Sequence, residues 1–105
     1  MTMADIDTKV EVKAKTKISI SEPKNFNVIY MNDEVTTCEF VIETLTGIFN
    51  YNEETASALT VRVHEQGSAV VATLPYEMAE QKGIEVTLLA RHNGFPLQVK
   101  IEQEN

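Results

Sequence analysis

From Asn25 onward the spacing of apolar positions switches between two residues and about 3.6, the periods of a strand and of a helix. Phe26, Val28 and Tyr30, with Ile29 among them, predict a strand that Asn25 and Asn27 begin. Thr36 then stands as a helix cap, and Glu39 three residues later completes a Thr-x-x-Glu capping box. Cys38, Val41, Leu45 and Ile48, with Phe49 beside them, share one helical face. Asn50-Tyr51-Asn52 breaks this helix, and Asn52 caps a second whose first turn carries Glu53 and Glu54, where carboxylates complement the dipole. Ala56, Leu59 and Val63 form its inner stripe, and Gly67 stops it.

Residues 69–74 are rich in β-branched side chains and predict another strand. Pro75 suits the first turn of a third helix running to about Asn93, with Ala79, Val86 and Ala90 aligned and Gly94 as terminator. Gly83 inside it costs roughly 1 kcal/mol relative to Ala. Leu97, Val99 and Ile101 alternate with Gln98, Lys100 and Glu102 as a last strand. The order β-α-α-β-α-β implies an α/β fold, an α+β sandwich in which a small three-stranded antiparallel sheet packs on three helices.

Residues 1–22 read differently. They hold no aromatic residue, and Val10, Val12, Ala14, Ile18 and Ile20 alternate with Glu11, Lys13, Lys15, Lys17 and Ser19. One strand with nothing to pair with is expected to be mobile and to order on docking. Pro23 marks the boundary, so residues 1–24 are expected to be a flexible extension and residues 25–105 the core domain.

At 105 residues, 43% of them hydrophobic, the chain suits one globular domain with a modest core. Its apolar runs, such as Ala69-Val70-Val71-Ala72, are far shorter than the roughly 20 residues of a membrane span. Residues 1–8 hold two Asp, no Lys or Arg and no apolar block, so no secretory signal is expected. One cysteine allows no internal disulfide and fits a reducing cytoplasm. The net charge of −7 argues against nucleic acid, whose phosphates need clustered Lys and Arg. Residues 1–22 balance four acids with four lysines, so the imbalance belongs to the rest of the chain, where it favours a cationic ligand or a basic partner.

The candidate chemistry lies where a strand hands over to a helix. Asn32-Asp33-Glu34 is a run of hydrogen-bond acceptors, and a single histidine, His64, follows in Val63-His64-Glu65-Gln66-Gly67. Acceptors plus one imidazole suit the grip of a cationic group, such as another polypeptide's free α-amino group, better than bond-breaking chemistry. Cys38, His64 and Asp33 are also the raw material of a thiol hydrolase, but no glycine-rich oxyanion loop or strained nucleophile turn accompanies them. His64 and His92 stand 28 positions apart with no thiolate pair, so no metal site and no cofactor are expected. A binding module that does not read N-termini is the alternative.

With these residues laid out, the chain resembles the ClpS family, adaptors of the Clp ATP-dependent protease, over about residues 25–105. The resemblance rests on Asn32-Asp33-Glu34-x-Thr36-x-x-Glu39-Phe40-Val41, Val63-His64-x-x-Gly67-x-Ala69, Glu77-x-Ala79-Glu80-x-Lys82 and Pro96-Leu97. It implies a fold like the ribosomal stalk protein C-terminal domain. It also implies an adaptor, not an enzyme, that binds proteins bearing N-end-rule degrons (a bulky apolar first residue) and passes them to a Clp AAA+ unfoldase.

By the resemblance, Asn32 and His64 accept hydrogen bonds from the ammonium, Asp33 contributes directly or through water, and Glu34 is a second acidic contact. An accepting imidazole must be neutral, so binding is expected to weaken in acid, and again in alkali as the amine loses its proton. The degron side chain is expected in a pocket of Val41, Val63 and Leu97, with Thr36, Cys38 and Thr60 at its walls or mouth. Glu77, Glu80 and Lys82 are expected to dock on the N-terminal domain of a ClpA- or ClpC-type unfoldase, with the adaptor a monomer. The chain departs from the family pattern in carrying Thr37-Cys38 for the usual Pro-Met, Thr60 for a frequent Met and Glu34 for Asp.

Overall fold

The computed structural model describes residues 24–104. The expected extension falls almost entirely outside them. Three strands and three helices follow one another as β1 (Asn25–Met31), α1 (Cys38–Gly47), α2 (Glu53–Gln66), β2 (Ser68–Pro75), α3 (Tyr76–His92) and β3 (Gln98–Gln103). β1 is the middle strand, antiparallel to β2 on one side and to β3 on the other. This is the expected α+β arrangement.

Directly opposed residues of antiparallel strands share a face, which identifies the two surfaces of the sheet. Val28 and Tyr30 are buried and lie opposite Ile101 and Val99 of β3, forming the face that the helices cover. On the other face Ile29 pairs with Lys100 and with Val70, amid Asn27, Thr73, Gln98 and Glu102. The core beneath the helices gathers Leu45, Ala56, Val71, Val86 and Leu97 around β1. Tyr30 is fully buried, and its hydroxyl is satisfied within this core. Thr44 spends its own proton on the Val41 carbonyl at 2.7 Å, so Tyr30 donates to the Thr44 oxygen, also at 2.7 Å.

α1 begins one residue later than the capping box predicts. Its cap is Thr37, whose hydroxyl oxygen accepts the Phe40 N–H at 3.1 Å, and Cys38 is its first, exposed residue rather than part of the apolar stripe. Thr36 belongs instead to the loop before the helix, its backbone N–H and its hydroxyl both donating to the Asp33 carboxylate. Asn52 caps α2 as expected, accepting the Thr55 N–H at 2.8 Å, and Gly67 ends it in the left-handed region at φ 86°. In α3, Pro75 occupies the cap position itself and closes β2 as well, and Gly94, at φ 78°, follows the helix end.

Two irregularities join the layers. β2 bulges by one residue at Val71, between the pairs Val28–Ala72 and Ile29–Val70. The Tyr51 hydroxyl donates to the Val71 carbonyl, so the bulge stays tied to the loop between α1 and α2. α3 packs on the sheet through Ala79, Gly83, Val86 and Ala90. A Cβ at Gly83 would stand 3.2 Å from Ile101 Cδ1, so the glycine in this helix serves close approach.

Candidate functional site

The loop between β1 and α1 is shaped by one carboxylate. Asp33 Oδ1 accepts the N–H of Val35 at 2.8 Å and of Thr36 at 2.6 Å, and its Oδ2 accepts the Thr36 hydroxyl at 2.8 Å. This is the turn that Asp makes with its own backbone. Partial burial alone would raise the Asp33 pKa. The Thr36 N–H and hydroxyl, the Val35 N–H and the Arg91 charge together outweigh burial and hold the carboxyl below its ordinary 3.8. Asp33 is thus a loop former before it is anything else.

A second bond fixes where the loop lies. The Asn32 N–H donates to the Gly67 carbonyl at 2.9 Å, which pins the end of β1 to the end of α2. His64 sits in the last turn of that helix, so Asn32 and His64 are held beside each other although 32 positions separate them in the chain. Thr60 lies one turn earlier on α2, on the same side as His64.

A cavity of about 350 Å³ opens at this junction. Asn32, Asp33, Glu34 and His64 border it, together with Thr36 and Cys38 from the start of α1 and with Val41 and Thr60. Depth sorts these residues. Asn32, Glu34, Cys38 and His64 are exposed and form the mouth, whereas Val41 and Thr60 are only 6% and 4% exposed and form the inner end. The cavity therefore has a rim rich in lone pairs and an inner end of one valine and one threonine.

Of the residues assigned to the site from sequence, Val63 and Leu97 stand apart. They are 3% and 1% exposed and belong to the core behind the cavity rather than to its wall. Leu97 is further held by its carbonyl, which accepts from Arg91 Nη1 at 2.8 Å, and the same nitrogen donates to Phe95 O at 2.9 Å. Phe95 packs against Phe40 of α1, ring centroids 4.9 Å apart, so the chain entering β3 is clamped under the site loop.

The residues of the other expected surface lie on α3. Glu77 and Glu80 are exposed, and the Glu80 carboxylate accepts the Tyr76 hydroxyl at 3.0 Å. Lys82 is half-buried, and its Nζ donates to the Ile48 carbonyl at 2.8 Å. It ties α3 to the end of α1 through a free helix carbonyl. Near Glu80 an apolar groove of about 270 Å³ runs between α3 and β3, lined by Ile84, Leu88 and Val99 among others; its one charged group is a carboxylate, and no histidine or amide borders it.

The turn made by Asp33 was open to sequence reasoning through its Asp-x-x-Thr spacing, which the capping-box reading of Thr36 obscured. The Asn32–Gly67 bond, by contrast, joins backbone groups remote in the chain and leaves no mark on residue type. Among the described residues no group of three or more His, Cys, Asp or Glu is placed to hold a metal ion. No helix among them is long and apolar enough to cross a membrane.

The profile of the family described as ATP-dependent Clp protease adaptor protein ClpS matches residues 21–100. The chain is 39% identical to the ATP-dependent Clp protease adapter protein ClpS of Wolinella succinogenes, over 89% of this chain and 91% of that one. It is 42% identical to the protein of the same name in Campylobacter jejuni, over 91% of this chain and 98% of the relative. Among solved structures, that of Agrobacterium tumefaciens ClpS2 bound to L-phenylalaninamide superposes with a TM-score of 0.77 at 37% identity. It covers 79% of this chain and all of that one.

Proposed function

This chain belongs to the ClpS family of Clp protease adaptors, which are not catalytic proteins, and from that premise we propose that its cavity holds the first residue of another polypeptide. The observation that carries the reading is the convergence of Asn32, His64, Val41 and Thr60 on one hollow. A free N-terminus offers two handles, an ammonium with three donors and a side chain that leaves water. Asn32 and His64 accept from the ammonium at the rim, and the charges of Asp33 and Glu34 favour its protonated form. A bulky apolar side chain passes inward toward Val41. Burying a Phe or Leu there contributes on the order of 2–3 kcal/mol, too little alone for tight binding, so ammonium and side chain act together. The relative bound to L-phenylalaninamide supports this division, because that ligand has both handles.

The adaptor then delivers its cargo in the cytoplasm, as a monomer, to the N-terminal domain of a ClpA- or ClpC-type unfoldase. Glu77 and Glu80 supply the exposed contacts, and Lys82, tied to Ile48, sets the helix that presents them.

A titration with a peptide beginning with Phe and with its N-acetylated twin tests the site. Acetylation removes the charge and should cost at least tenfold in affinity, since charge-assisted hydrogen bonds contribute about 1.5–3 kcal/mol each. Asn32→Ala and His64→Ala should abolish binding while leaving the circular dichroism spectrum unchanged. Equal affinity for the two peptides would reject the reading.

A further inference from the structure

We infer that Thr60 makes this cavity select an N-terminal tyrosine over an N-terminal phenylalanine, an inference that rests on the degron reading above. Thr60 is nearly buried, yet it borders the cavity beside Val41 at the inner end. Its hydroxyl proton is already committed, because Oγ1 donates to the Ala56 carbonyl at 2.8 Å. A hydroxyl has one donor and two acceptor lone pairs, so what Thr60 offers an occupant is acceptance only. Thr36, nearer the mouth, is in the same condition, its proton spent on Asp33. The cavity thus lacks a free hydroxyl donor at either depth and asks for a ligand group that donates.

Distance favours the same assignment. His64 lies one turn beyond Thr60 on α2, about 6 Å by helix rise, comparable with the length of a tyrosyl side chain. An aromatic residue anchored by its ammonium between Asn32 and His64 would therefore bring its para position toward Thr60 Oγ1. A phenol donates there, a phenyl ring leaves the lone pairs facing carbon, and an aliphatic leucine does the same.

The size of the preference follows from the Ala56 bond. Because the Thr60 donor is satisfied without ligand, phenylalanine orphans no buried N–H or O–H. Discrimination is then the worth of one neutral hydrogen bond, on the order of two- to tenfold, and not the roughly ten-thousandfold or more of sites that leave buried polar groups unpaired.

The test compares peptides that differ only in their first residue: Tyr, Phe and para-fluorophenylalanine, the last extending the ring without a donor. Wild type should bind Tyr two- to tenfold tighter than Phe, and the fluorinated ring no better than Phe. In Thr60→Val, which keeps the shape and removes the oxygen, the Tyr-to-Phe ratio should fall to one or below, and Thr60→Ser should restore it. Equal or weaker binding of Tyr by the wild type overturns the inference while leaving the degron reading intact, as does a ratio that survives Thr60→Val. If neither Tyr nor Phe peptide binds, both proposals fall.

Discussion

Asp33 shows how one side chain can be legible in type and illegible in role. The run Asn32-Asp33-Glu34 stands out as acceptors at a strand end, and the structure does put all three on the cavity rim. Asp33, however, has turned its oxygens on Val35 and Thr36, so its first task is to hold the loop that carries its neighbours. Its pKa is lowered by that task, which fixes the sign of its pH effect. A group more acidic in the folded than in the unfolded chain stabilises fully above its unfolded pKa and stops doing so as pH falls through the folded value. The stability difference between wild type and Asp33→Asn should therefore be flat from neutral pH down to about 5 and narrow below about 4. Urea denaturation at several pH values checks this; a difference that persists unchanged into acid would remove Asp33 from the loop's electrostatics.

At the scale of elements, periodicity was a sound guide and local punctuation a mixed one. The strands and helices lie where apolar spacing puts them, because each buries one face against a shared core. The capping-box pattern puts the start of α1 one residue early because two adjacent threonines carry the same signal; the Phe40 N–H goes to Thr37, while Thr36 is held in the preceding turn by Asp33. The bulge at Val71 left no trace in residue type, since it depends on Tyr51 reaching across from another loop. Two glycines separate steric from backbone effects. Gly67→Ala meets nothing within 4 Å but must adopt φ 86°, so it should cost about 1–2 kcal/mol. Gly83→Ala gains about 1 kcal/mol of helix propensity but pushes on Ile101 Cδ1, the mobile end of a half-buried side chain. A shifted Ile101 rotamer costs about 0.5–1.5 kcal/mol, so the net should be near zero. Thermal unfolding of the two variants should rank Gly67→Ala clearly below Gly83→Ala, and the reverse order would show that Ile101 cannot yield.

For the whole molecule, charge and shape act on different steps of binding. Residues 24–104 are acidic, and Asp33 and Glu34 carry that sign to the cavity mouth. A cationic N-terminus should be drawn in by this field, so its association rate should drop several-fold as salt rises from about 0.1 M to about 1 M, with dissociation changing less. Stopped-flow fluorescence separates the two rates, and a salt-independent association rate would leave net charge with no part in capture. Composition could suggest such a field but not where the opening lies.

The single backbone bond from Asn32 to Gly67 has one more implication. It makes the strand end and the helix end a single rigid jaw before any guest arrives. On the proposed reading, a visiting chain terminus loses its own freedom on binding but need not also pay for assembling its host, so recognition can be quick. For the carrier role proposed above, a jaw already set is the fitting geometry.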